Sequence, residues 1–196
     1  MSAPRELTRA QLMPMADYAA VRRQKRSEAT ALKRVRRVSV GPFATFNFES
    51  FDTMWIQIHE MLFIEKGGEA QIAGELAAYN PLIPKGRDLV ATLMFEIDDP
   101  VRRERELGRL GGVEDAICIR VGGHSVTAVP ESEVERTDER GRTSSVHFLH
   151  FPFSDEAIAA FRDPSQEAVL MIAHANYGHM AVLPDEARAA LAGDFD

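Results

Sequence analysis

Apolar residues recur along this chain with two periods, helical in most of the first eighty positions and alternating in most of the later ones. Leu12, Met15, Tyr18, Ala19, Val21, Ala29 and Leu32 form an imperfect stripe that predicts a helix over 8–34. Pro14 should set its start or kink it, because proline removes a helix donor and clashes with the preceding turn. RRVSVG and ATFNFE alternate around Val38, Val40, Phe46 and Phe48, which predicts two short strands about a Gly41–Pro42 turn. Ser50 or Asp52 can cap the next helix, on which Phe51, Met54, Trp55, Ile58, Met61 and Leu62 recur at spacings of three and four. Lys66-Gly67-Gly68 ends it, and Ile72, Leu76 and Tyr79 mark a second helix over 69–79. So short a link should fold the two into an antiparallel helical hairpin.

Past Asn80-Pro81 and Pro84-Lys85-Gly86, DLVATLMFEI reads as a strand apolar on both faces, as a central strand should be. Asp99-Pro100 starts a short helix that should end at Gly111-Gly112. AICIRV and HSVTAV flank Gly122-Gly123 as a hairpin, and the polar stretch 131–144 reads as an exposed loop. VHFLHF is a strand, Ser154 caps a helix through Phe161, and EAVLMIAH and HMAVL straddle Ala175–Gly178 as a last hairpin before a short helix at Pro184. With no internal repeat and no linker, the expectation is a single α+β domain over 1–196. Its N-terminal helices, including the helical hairpin, should pack on a mainly antiparallel β-sheet.

The 196-residue length is enough to bury a core without staples, and the one cysteine, Cys118, is expected to be an inert buried thiol. That count excludes an all-cysteine iron–sulfur centre or a Cys₄ zinc site within the chain. No segment has signal-peptide or membrane-span character, so the expected location is cytoplasmic, with no membrane partner. Charge is unevenly spread. Residues 1–37 carry ten Lys or Arg against Glu6, Asp17 and Glu28, a net +7, and the remaining thirteen basic and twenty-seven acidic residues give −14. This basic N-terminal helical arm can bind an anionic partner or lie against its own acidic body, and the second needs no further assumption.

Candidate chemistry concentrates in the helical hairpin, where ionisable groups sit among apolar ones and should have partners or a ligand. Glu65 continues the Phe51–Leu62 stripe, and an antiparallel pair of helices should bring Glu60 or Glu65 near Glu69 or Glu75. Paired carboxylates suit cations such as iron or manganese, or a shared-proton acid–base pair. His147 and His150 are three apart on a strand and point to opposite faces, so they cannot share one ion without a bulge. His174 and His179 stand opposite each other only if Ala175–Gly178 form a four-residue loop. The glycine pairs lack phosphate-cradle spacing, and no nucleophile elbow or Cys/His arrangement is present. Only Tyr18 and Phe43 lie near the basic helix as aromatics, so nucleic-acid binding is not expected.

FESFDTMWIQIHEML, ELAAYNPLIPKGRDLVATLMFEI, VHFLHFPF and IAHANY, in that order, resemble an uncharacterised bacterial domain-of-unknown-function family over nearly the whole chain. The pattern matches at Glu49, Thr53, Met54, Trp55, Gln57, Glu60 and Met61, at Glu75, Tyr79, Asn80, Pro81 and Pro84, and at His174, Asn176 and Tyr177. It departs at His59, where the family tends to have glutamine, and at His150, where it has arginine or another residue. It departs again at Ala175, which replaces a proline. The resemblance implies a link to iron or peroxide metabolism, because members are often encoded beside rubrerythrin-like proteins and iron–sulfur oxidoreductases. The functional expectation is a metal-binding accessory of such a redox system. Glu60, Glu65, Glu75 and His174 would be its ligands or proton-handling groups, its cofactor a divalent metal ion such as iron, and its partners the neighbouring redox proteins. The alternatives are a non-catalytic adaptor or homodimer docking through the basic helix, and a metal-free enzyme using the same carboxylates.

Overall fold

Proline decides where the first helix begins. The computed structural model, which describes residues 4–131, 137–138 and 141–196, starts α1 at Met15 directly after Pro14 and runs it to Val35. Before the proline there is only a 3₁₀ turn, Arg9–Gln11, so the helix expected from residue 8 starts late. The alternating segments form β1 (Arg37–Val40) and β2 (Ala44–Phe48), followed by α2 (Phe51–Glu65) and α3 (Glu69–Tyr79). Ser50 caps α2 reciprocally: its hydroxyl accepts from the Thr53 amide, and the Thr53 hydroxyl accepts from the Ser50 amide at 2.8 Å. Lys66, the first of the Lys66-Gly67-Gly68 expected to end α2, closes it in the left-handed conformation (φ 57°).

The rest of the chain gives β3 (Asp88–Phe95), α4 (Pro100–Leu107), β4 (Ile117–Val121), β5 (His124–Thr127) and β6 (Val129–Pro130). Then come β7 (Val146–Pro152), α5 (Asp155–Arg162), β8 (Ala168–His174), β9 (Tyr177–Val182) and α6 (Asp185–Ala192). Helix α4 stops before Gly111-Gly112, the expected end. Of the stretch 131–144, residues 132–136 and 139–140 lie outside the described residues. Thr143, near its end, is buried with its amide on the Leu107 carbonyl at 3.1 Å, so this part is no exposed loop.

The strands make two antiparallel sheets, ordered β1-β2-β3-β7-β6 and β5-β4-β8-β9, and with the helices they make the protein α+β. Alternation sends Phe46, Phe48, Leu93, Phe95, Leu149 and Phe151 to one face of the five-stranded sheet. There they meet Ile117, Ile119, Leu170 and Ile172 of the other sheet, closed by Phe161 and Leu191 of α5 and α6. The opposite face of the five-stranded sheet holds Val90 and Phe148 against Met54, Ile58, Leu62, Leu82 and Ile83 of the helical layer. Burying a side chain of this size stabilises by about 1.5–3 kcal/mol, which is why the α2 stripe is readable as a buried face.

Helix α1 lies against the body. Tyr18 and Ala29 are buried, and Arg22–Glu60 (2.8 Å) and the buried Arg36–Asp194 pair tie its two ends down. One phenol adds hydrogen bonds between the two sheets. Tyr177 Oη accepts from the Phe43 and Ala44 amides (3.2 and 3.0 Å) and donates to the Val40 carbonyl (2.8 Å). Gly41 makes that approach possible: its φ is 70°, and a Cβ there would meet His179 at 2.6 Å and the Tyr177 hydroxyl at 2.8 Å. No helix among the described residues is long and apolar enough to cross a membrane.

Candidate functional site

Registry across the sheet builds the floor of a cleft. Asn47, Thr92 and Phe148 stand in one row across β2, β3 and β7, and Met94 and Val146 in the next. Helix α2 and the turn after α3 cover one end of this face. Where they stop, a cavity of about 330 Å³ remains, walled by Glu49, Met54 and Gln57, by Tyr79 and Leu82, and by Lys33 and Arg36 at the end of α1.

Glu49 is the unusual group in this wall. It follows β2 directly, its amide donating to the Val90 carbonyl at 2.7 Å, and it is only 8% exposed. Each carboxylate oxygen accepts one threonine hydroxyl, Thr92 on Oε1 and Thr53 on Oε2, both at 2.7 Å. Among the described residues no Lys, Arg or His nitrogen lies within the 4.0 Å of an ion pair. Arg36 lies close by but spends its donors elsewhere. They go to the carbonyls of Phe48 (3.0 Å), Glu49 (2.8 Å) and Ala190 (3.3 Å), and to the Asp194 carboxylate. Burial pushes the Asp194 carboxyl above its ordinary range, a rise that the Arg36 guanidinium only partly offsets. Opposite Glu49, Gln57 Nε2 donates to the Tyr79 hydroxyl at a long 3.4 Å. Chemically, the cleft joins an anion and hydrogen-bonding groups to an apolar floor, the composition of a small-molecule site.

The four residues expected to gather are distributed differently. Glu60 is engaged by Arg22 through two bonds of 2.8 Å and by the Tyr18 hydroxyl at 2.8 Å. The guanidinium holds its carboxyl below the ordinary range, while burial and then Glu60 raise the Tyr18 phenol. Glu65 is exposed, not inward as the stripe implied. It does meet Glu75, through Gln71, whose Nε2 donates to both carboxylates at 2.6 and 2.8 Å. Glu69, the other acid considered there, is paired with Arg9. His174 lies in the four-stranded sheet, its Nδ1 accepting from the Asn176 amide at 3.2 Å. Among the described residues no group of three or more His, Cys, Asp or Glu is arranged to hold a metal ion.

The other histidines also have defined places. The β8–β9 loop has two residues, Ala175 and Asn176, so His179 pairs with Ile172 and does not face His174. His59 is fully buried, its Nδ1 on the Trp55 carbonyl (2.6 Å) and its Nε2 accepting from the Met13 amide (3.0 Å). Burial lowers its pKa below the ordinary value. His150 sits between Asp88 (3.5 Å) and Glu131 (2.7 Å), which together raise its pKa. His147, on the opposite face of β7, is buried beside Thr143 and Glu114. Cys118 is free and half-buried on the outer face of β4, not the fully buried thiol expected from its apolar surroundings in the chain.

Glu49 is the site residue that spacing along the helices does not reveal. The available signal is its place: a carboxylate between an apolar strand and a reciprocal Ser50–Thr53 cap must bury beside the helix start. Glu49, Met54, Gln57 and Tyr79 line one cleft, and Thr53 bonds to Glu49.

The chain matches, over residues 6–195, the family described as "Protein of unknown function (DUF3501)", and it belongs to that family. It is also similar to a solved structure, a crystal structure of a novel protein of unknown function from Burkholderia pseudomallei K96243. The two are 39% identical with a TM-score of 0.89, over 97% of this chain and 99% of that one. No curated protein matches the chain.

Proposed function

We propose, for this member of a family of unknown function, that the protein is a binding module whose ligand is a small organic molecule held in the Glu49 cleft. One observation carries the reading: the carboxylate of Glu49, a residue only 8% exposed, is fixed by two hydroxyls on the wall of an open cavity and has no cationic nitrogen within 4.0 Å among the described residues. Burying an anion is costly unless it is paired and hydrogen-bonded, and here only the hydrogen bonds are present. The test is protein-observed NMR with a library of small polar fragments, on the wild type and on Val146→Trp, whose indole would fill the cleft. The expected binders shift the side-chain amides of Gln57 and Asn47 and lose their effect in the variant. Binders that cluster elsewhere, or that persist in Val146→Trp, would overturn the proposal.

A second reading, an adaptor that docks an acidic partner, draws on the outer side of α1. Arg23 and Arg26 line a groove with Ser27, Thr30 and Phe63, and neither has a carboxylate within ion-pair distance among the described residues. Its probe is a polyglutamate peptide, whose binding should fall steeply with salt and disappear in the R23E/R26E variant. Binding indifferent to salt or to those charges would remove this reading.

A further inference from the structure

We infer that the ligand class of the Glu49 cleft is an organic ammonium compound: a protonated amine on a short apolar body. The inference rests on the cleft being a small-molecule site, and it is the charge pattern within the cleft that carries it. Each Glu49 oxygen receives one threonine hydroxyl and keeps acceptor capacity for a further donor. The nearest guanidinium, on Arg36, is committed to three main-chain carbonyls and to Asp194, so it cannot turn to serve Glu49 without stranding them. Lys33 lines the same cleft from an exposed position on the last turn of α1 and makes no ion pair with Glu49. The missing counter-charge is therefore one that a ligand brings.

The remaining lining describes the rest of the molecule. Met54, Leu82, Met94, Val146 and Phe148 supply an apolar bed, and Tyr79 and Phe148 add aromatic rings, a side-chain type whose face attracts a cation. The Tyr79 hydroxyl, reached only loosely by Gln57 at 3.4 Å, has acceptor capacity for a second ammonium proton. The volume of about 330 Å³ stands at the low end of small-molecule sites, which run to roughly 1,000 Å³. That space suits an aliphatic or single-ring amine and is too small for a nucleotide. An anionic ligand would meet the Glu49 carboxylate as a like charge.

Three probes of one length separate charge from shape: n-hexylamine, protonated at neutral pH, n-hexanol and hexanoate, each titrated calorimetrically into the full-length protein. The expected result is hexylamine binding at least tenfold more tightly than hexanol, with hexanoate weakest. Glu49→Gln should erase the tenfold preference and leave hexanol unchanged, and Val146→Trp should abolish binding of all three. Should Glu49→Gln fold poorly, the order of the probes on the wild type still decides. Hexanol or hexanoate matching hexylamine, with Val146→Trp still blocking them, would overturn the ammonium assignment while leaving the cleft a binding site. Binding of none of the three would overturn the assignment as well, and the fragment screen would then judge the cleft by itself.

Discussion

Replacing Arg36 by Met tests how the cleft wall is held. Arg36 is 4% and Asp194 9% exposed, so the variant leaves a carboxylate in a dry site without its counter-charge. Breaking a buried pair from one side costs about 3–5 kcal/mol. The carbonyls of Phe48 and Glu49 lose their donor in the same change, so the loss at pH 7 should reach this range. Urea unfolding measures it as a fall in midpoint at nearly constant slope. Adding Asp194→Leu removes the stranded charge and should recover about 2 kcal/mol or more. Acidification gives an independent check. The folded pKa of Asp194 already lies above 3.8 because burial outweighs Arg36, and without Arg36 it rises further. As pH falls through that raised value, the folded variant takes up a proton that the unfolded chain does not yet bind. Its deficit must therefore shrink, by at most about 1.4 kcal/mol per pH unit, until Asp194 of the folded wild type takes up its own proton, at a value still above 3.8. A loss below about 1 kcal/mol at pH 7, outside the buried-pair range, would refute the reasoning. So would a deficit that widens on acidification.

His59 has a lowered folded pKa, so the unfolded chain protonates first and stability falls as pH drops below 6.5; His59→Gln should flatten that fall in urea midpoints. His150 acts in the opposite sense: its raised pKa adds stability below 6.5 that is lost as pH rises, and His150→Gln should remove it. Tyr177→Phe takes partners from the Val40 carbonyl and the Ala44 amide and should cost about 1–3 kcal/mol in the same assay. Because Glu60 and His174 lie in separate hydrogen-bonded settings, Glu60→Ala and His174→Ala should leave the metal content of protein purified without added metal unchanged, as elemental analysis would register.

The elements are legible where periodicity and punctuation agree. Six apolar positions at helical spacing, between a Ser50 cap and a Gly-Gly break, admit little besides α2. The alternation in VHFLHF likewise separates Leu149 and Phe151, on the face toward the second sheet, from the half-buried Phe148 and His150 on the opposite face. Boundaries are less legible: α1 waits for Pro14, and α4 stops short of its glycines. The second sheet escapes notice because alternation says which residues share a face and nothing about which strands pair. The site misleads for a related reason. Carboxylates on a helix can be placed on a face from spacing alone, but Arg22, Tyr18 and Gln71, which engage them, come from contacts that spacing does not encode. Glu49 owes its burial to the arrival of β3, forty residues later in the chain, whose Thr92 completes its setting.

The Tyr177 phenol also makes the turn beside Gly41 a reporter on the far sheet. The amides of Phe43 and Ala44 are held by a side chain from β9, so their exchange with deuterated solvent should follow the opening of the β8–β9 hairpin and not fraying of β1. Loosening in one layer would thus be read out, residue by residue, in the other.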